Sequence, residues 1–462
     1  MIKVFTAFIL ILTFASFASA QTPIVVCPSG CDYSSIQSAI DSANLGDTIE
    51  VESGTYKENV YVNKQLVLCG IDTGTGKPVV DAGGSGSAIT LSADGVTLEG
   101  FEARNSGYAG ISITSNHNVI KNNTASNNYI GIKLSSSSNN TLSTNNANSN
   151  NWAGIELRYS SNNTLKNNNI SNNYNGIYLS RSSNNTLKNN NANSNNNYGI
   201  YLSSSSSNTL SNNNASNNFL GISLDSSSNN TLKNNSMFNN KYNFGVYGNE
   251  LSDFIQYIDK TNYVNGKTIY YLVSEKNLQI PRDAGYVGIV NSENITVKYL
   301  TLTNNRQGIL LSYTSNSRIE KVIAENNFNG IELYYSSNNK IYLNNFNSVA
   351  SAGPTNNFWN STEKITYTYN SNNYTNYLGN YWSDYAGTDA DKDGIRDAPY
   401  TIDSDKDYYP LMEPFENYLG VALTSQPTPK PTPTPKLLGF EAFFALAGLL
   451  AAVAYLVLRP RK

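Results

Sequence analysis

The motif Gly-Ile-x-Leu begins at Gly110, Gly131, Gly154, Gly176, Gly199 and Gly221, at intervals of 21 to 23 residues, weakens at Gly245 and returns at Gly308 and Gly330. Two further beats follow in each copy. Asn-Thr-Leu recurs at Asn140, Asn163, Asn185, Asn208 and Asn230, and a small or apolar residue set among Asn and Ser recurs at Ala125, Ala147, Ile170, Ala192, Ala215 and Met237. Self-similarity at such a period marks stacked repeats. Each short beat alternates apolar and polar positions and reads as a strand, and the Ser/Asn clusters between beats read as turns. A unit of three short strands cannot bury its own apolar face. Stacked copies can, because equivalent strands pair in parallel about 4.8 Å apart while inward Ile and Leu form columns. The spacing therefore predicts an all-β solenoid, a parallel β-helix of about 22 residues per rung. Leucine-rich repeats share the period but need a leucine scaffold and a distinct back face, which these repeats lack.

Composition agrees once the repeat is recognised. The chain holds 73 Asn, 45 of them between Phe101 and Glu250, and only 14% of its residues are charged. Such polarity alone suggests disorder, but 33 Tyr and a regular scatter of Ile, Leu and Gly argue against it. Asn suits the turns because it tolerates left-handed backbone, and stacked amides can bond from rung to rung. A net charge of −3 and a pI near 5.4 speak against a nucleic acid partner, which needs clustered Lys and Arg. One His and three Met are too few for His-based triads, His zinc sites or Met-rich copper sites.

The pattern divides the chain as follows. Residues 1–20 read as a signal peptide, with Lys3, an apolar run and a small-residue site at Ala18-Ser19-Ala20. Residues 21–105 form an N-terminal cap and the first rungs, and Ser34 to Ala43 has the spacing of a short capping helix. Residues 106–250 are the Asn-rich repeats, 251–286 an inserted hairpin, 287–350 further rungs, and 351–420 a C-terminal cap. Residues 421–436 form a Pro/Thr-rich linker. Residues 437–462 read as a transmembrane anchor with a basic tail, long enough to span about 30 Å of hydrocarbon and oriented with the body outside. Cys27 and Cys31 are spaced for a local disulfide in an exported protein, with a metal pair as the alternative.

The strongest local motif is Asp389-x-Asp391-x-Asp393-Gly394-Ile395-x-Asp397. Alternating carboxylates before a Gly, with Ile395 where a backbone carbonyl serves, suit a structural Ca²⁺; Asp397, or Asp403, Asp405 or Asp407, would complete the shell. The alternative is a solvated acidic turn. On the strands, alternation turns Ser112, Lys133, Glu156, Tyr178, Tyr201 and Ser223 outward in one column. Tyr178 and Tyr201 are the carbohydrate-contact candidates, set against a purely structural stack. Tyr108, Tyr129, Trp152, Tyr174, Phe219 and Phe328, each two residues before a repeat Gly, read as structural stacking. His117 reads as a turn residue, and Arg158 and Arg181 sit at different offsets from their glycines. No catalytic residue is assigned.

SIQSAIDSANLGDTIEVESGTYKENVYVNKQLVLCG, the repeats, and the closing GNYWSDYAGTDADKDGIRDAPYTID together resemble the NosD-like right-handed parallel β-helix family of archaeal cell-surface proteins. The resemblance runs from Ile24 to Pro414 and implies a right-handed, single-stranded coil. The family takes its name from a periplasmic protein associated with copper delivery, but no position here matches a copper ligand set. It also shares its architecture with pectin-degrading enzymes and alginate epimerases, and Gly54 to Asn59 resembles the start of pectin methylesterases without their further motifs. The tail resembles an archaeal C-terminal sorting signal, with Leu438-Gly439-Phe440 in place of Pro-Gly-Phe. The expectation is an exported, membrane-anchored, non-catalytic surface protein that contacts cell-envelope glycans or surface-layer components. A polysaccharide lyase, hydrolase or epimerase is the alternative, and a copper maturation factor the lesser one.

Overall fold

The computed structural model describes residues 22–353 and 356–419. The signal peptide, the linker and the membrane anchor expected from the sequence lie outside them.

Each rung contributes one strand to each of three parallel sheets. The Gly-Ile-x-Leu beats stack in register, Ile132 on Ile155 on Ile177 on Ile200 on Ile222, and all five side chains are buried. The Asn-Thr-Leu beats stack Leu142, Leu165, Leu187, Leu210 and Leu232. The third beat stacks Ala147 on Ile170 and Ile170 on Ala192. These columns form one continuous core along the coil. The repeat Gly has a steric cause: a Cβ on Gly131 would lie 2.5 Å from the Gly154 carbonyl and 2.8 Å from the Asn150 amide.

The N-terminal end is closed by the helix Ile36–Ser42. Ser35 caps it, and the Glu58 carboxylate accepts from the Ser35 hydroxyl and the backbone N–H of Ile36 and Gln37. Glu58 thus serves the cap. Cys27 and Cys31 are joined by a disulfide beside this end.

After Phe254 the coil is rebuilt. Tyr257–Ile258 and Tyr263–Val264 still add to the rung beneath, and the chain then reverses at Asn265-Gly266. Lys267–Val273 runs antiparallel to Tyr263–Val264 and parallel to Ala284–Val290. The hairpin is therefore a junction within the stack. From Ala284 onward the Gly-Ile-x-Leu strands Gln307–Ser312 and Asn329–Tyr334 continue the sheet begun by the third beats, and a second core fills their interior.

Candidate functional site

Outside the Gly-Ile-x-Leu sheet, the register aligns Ser112, Lys133, Glu156, Tyr178, Tyr201 and Ser223 in one column. Beside them, in the turn before each strand, stand Tyr108, Tyr129, Trp152, Tyr174 and Phe219. A pleated sheet leaves side chains of adjacent rungs about 4.8 Å apart, so both sets form rows running along the coil, one the floor of a shallow groove and the other its wall.

Tyr178 and Tyr201 stack, with centroids 5.3 Å apart and planes 7° from parallel. Tyr198 covers the other face of Tyr201 at 4.2 Å, and the Tyr201 hydroxyl donates to Asp225 at 2.9 Å. Burial first, then the Asp225 carboxylate, push this phenol above its ordinary pKa. With both faces covered, Tyr201 offers a ligand only its edge. The row assigned from the sequence to structural stacking is the accessible one: Tyr108, Tyr129, Tyr174 and Phe219 are each more than 40% exposed. Trp152 stacks on Tyr174 at 5.4 Å and meets Tyr178 edge-on at 6.4 Å. The signal was available, because these residues precede the strand and lie on its turn.

Between Tyr129 and Trp152 the groove deepens into a notch of about 320 Å³, lined by Tyr108, Lys133, Glu156, Arg158 and Tyr178 as well. Lys133 and Glu156 are 7% and 5% exposed. The ammonium lies 3.8 Å from the Glu156 carboxylate and 4.6 Å from the Tyr108 ring centroid. Arg158 and Arg181, at different offsets from their glycines, converge on Tyr159 because the strand register, Arg158 opposite Ser180, puts Arg181 beside it. Both guanidiniums face that ring, and Arg181 donates to its hydroxyl at 2.5 Å. That bond, then the Arg181 charge, lower the Tyr159 pKa. The overall charge conceals a segregation, with eight Lys and Arg against three Asp and Glu between residues 106 and 250. The outer face is therefore richer in charged groups than the Ser, Asn and Tyr anticipated from the repeats. His117 is an exposed left-handed turn residue.

In the C-terminal cap, carboxylate oxygens of Asp389, Asp391 and Asp393 lie within 4.8 Å of one another. Asp389 accepts from the backbone N–H of Asp393 and Gly394, and Asp393 from that of Ile395. Burial, opposed by the Ile395 bond, and then the charge of Asp391 raise the Asp393 pKa. Asp397 turns away to bind Thr388 and Ala390. Asp405 and Asp407 are also engaged elsewhere, with the indole N–H groups of Trp359 and Trp382.

Fold and groove together define a parallel β-helix with an aromatic-walled outer face. The chain belongs to the family described as periplasmic copper-binding protein (NosD), which matches residues 71–270, 258–341 and 275–387. A search of curated proteins finds no match. Similar solved structures include the pectate lyase Pel9A, 16% identical, covering 62% of this chain and 78% of that one with a TM-score of 0.44. A PL6 alginate lyase in complex with trisaccharide is 14% identical, covering 73% and 87%, with a TM-score of 0.44. A GH136 lacto-N-biosidase from Eubacterium ramulus is 9% identical, covering 70% and 64%, with a TM-score of 0.38. At this distance the likeness says nothing of activity.

The described residues do not fit the copper in the family's name. Copper favours thiolate, thioether and imidazole donors brought together. Here two thiols are tied in a disulfide, Cys69 stands apart, and Met237 is buried in the core. Among the described residues, the carboxylate cluster of the cap offers only hard oxygen, and no step is derived through copper.

Proposed function

We propose that the chain is an exported β-helix, held at the cell surface by Leu437 to Leu458, that binds an extended glycan along the outer face of its Gly-Ile-x-Leu sheet. The observation that carries this reading is the row of exposed Tyr108, Tyr129 and Tyr174 with half-buried Trp152 among them, beside a polar floor. Aromatic rings offer apolar area at low entropic cost, and flanking Lys, Glu and Arg supply oriented hydrogen bonds. One rung per 4.8 Å gives a repeating polymer a repeating surface. The archaeal cell envelope, with its glycans and surface-layer components, is the setting this reading takes.

A second reading, cleavage of the bound polysaccharide, is favoured by the meeting of Lys133, Glu156, Arg158 and Tyr178 in one notch, since acid, base and cation then lie within reach of one sugar unit. Both are tested by a polysaccharide panel scored for retention and for depolymerisation. The expected result is retention without new chain ends, lost at least tenfold in a Tyr129→Ala/Trp152→Ala variant that keeps its fold, about 0.7 kcal/mol or more from each ring. Chain shortening would favour the second reading. Unchanged retention in the double variant would remove the groove from the account.

A further inference from the structure

We infer that the notch between Tyr129 and Trp152 selects a sugar unit carrying one negative charge, a carboxylate or a sulfate ester; this rests on the glycan-binding reading above. The argument begins with Lys133. The side chain is nine-tenths buried, yet among the described residues its ammonium, with three donors, has an ion pair with the Glu156 carboxylate at 3.8 Å and lies over the Tyr108 ring. Neither is a hydrogen bond. Glu156 is equally buried and accepts no hydrogen bond from any described residue. Buried ionic groups are stable when paired at close range with their remaining donors and acceptors satisfied. Here both groups line an open notch, so the missing partners can come from what enters it.

Charge decides which partner. Glu156 offsets Lys133, and Arg158, exposed on the next rung, has no carboxylate within ion-pair distance among the described residues. Its guanidinium rests against the Tyr159 ring, 5.7 Å from centroid to carbon, and Arg181 adds a second cation at the same ring. The notch thus carries an excess of positive charge inside a chain of net charge −3. A singly charged anion on the sugar restores balance. The Arg158 fork matches a carboxylate or sulfate with two parallel N–H donors, and Lys133 donates from the floor. Glu156 then accepts from ring hydroxyls, while Trp152 and Tyr129 close on the apolar faces of the ring. A neutral sugar satisfies Glu156 and the aromatic wall but leaves the cations without an anion.

The test compares three oligosaccharides of equal length on the full chain in detergent: an oligo-uronate, its carboxyl-reduced neutral counterpart, and a sulfated oligosaccharide. Titration calorimetry at low salt is expected to show at least one anionic oligomer bound about tenfold more tightly than the neutral one, the scale of one charge-assisted contact. The preference should shrink as salt is raised. Arg158→Gln, at an exposed position, should bring anion affinity down toward that of the neutral oligomer. Glu156→Gln should raise anion affinity by removing like-charge repulsion. Because Lys133→Met alone leaves Glu156 buried and unpaired, the double variant Lys133→Met/Glu156→Gln is the one to compare: it leaves the excess charge on Arg158 and should keep the preference, which the added change Arg158→Gln should abolish. Equal affinity of the parent for charged and neutral oligomers overturns the inference and leaves glycan binding standing. No binding of any oligomer by the parent defeats the glycan reading itself.

Discussion

Asparagine fills two different positions in this chain, often side by side. In doublets such as Asn162-Asn163, Asn167-Asn168 and Asn189-Asn190 the first residue sits in left-handed backbone at φ of 55° to 59°, which Asn tolerates. The second is buried and donates both its backbone N–H and its side-chain N–H to the Asn one rung ahead, as Asn168 does to Asn190 at 3.1 and 2.9 Å. Every link points the same way, so the last member must be an acceptor. In the C-terminal stack Asn344 donates to Asn380, and Asn380 to Asp407, which also receives the Trp382 indole N–H and the Tyr409 N–H. Asp407 is fully buried, and burial outweighs these bonds, pushing its pKa from 3.8 up to about 6. A folded-state pKa above the unfolded one adds stability that is complete below pH 4 and is lost as pH rises through 6. That rise of about two pH units is worth about 3 kcal/mol. Melting curves of the parent and Asp407→Asn between pH 4 and 7 should show this loss in the parent and its absence in the variant, which starts lower because an amide presents an N–H to donors. Parallel pH profiles would show that Asp407 is not the titrating group.

At the level of elements, the strands and their order were legible because apolar alternation and a fixed period both survive in the sequence. The junction was read only as a hairpin: nothing in Tyr263 to Val273 reports that the second stack begins on that strand. The groove was half legible. Period-two alternation placed Lys133, Glu156, Tyr178 and Tyr201 in one column, and the shared offset of Tyr159 and Arg181 from their glycines puts Arg181 beside Tyr159, whereas the covering of Tyr201 by Tyr198 depends on side-chain reach that spacing does not encode. The acidic loop was legible as a carboxylate cluster but not in its membership, since Asp397 is drawn off by Thr388 and Ala390. The loop is clamped by the hairpin Ile365–Tyr369 and Asn372–Asn376: the Tyr367 hydroxyl donates to the Asp393 carbonyl and that of Tyr374 to the Lys392 carbonyl. We propose that Ca²⁺ sits among Asp389, Asp391 and Asp393 as the clasp of this cap, since three carboxylates so close repel one another without a cation. An ion that binds only the folded state stabilises it by about 2.7 kcal/mol at 100 times Kd. Saturating calcium should therefore raise the melting temperature, with magnesium a poor substitute because it holds its water and demands a rigid octahedron. Identical melts in calcium and in chelator would leave the motif as a solvated turn.

For the whole molecule, the solenoid is closed at one end by a helix and at the other by the cap, and its long axis carries the groove. Side chains on the groove wall repeat with the rungs, so under the glycan-binding proposal affinity for a polymer would accumulate along the coil by adding weak contacts that share one chain. Among the described residues no helix is long and apolar enough to cross a membrane; we propose as the anchor the apolar stretch Leu437 to Leu458, followed by Arg459, Arg461 and Lys462. The preceding Gln426 to Lys436 is rich in Pro and Thr. Deleting Leu437 to Lys462 is expected to release the protein into the medium with its glycan retention intact, because groove and anchor share no residue. Fractionation of cells expressing the truncated chain checks this. Recovery of that chain in membranes after a high-salt wash would place the anchor elsewhere, and release with loss of retention would mean that the tail, and not the groove alone, holds the glycan.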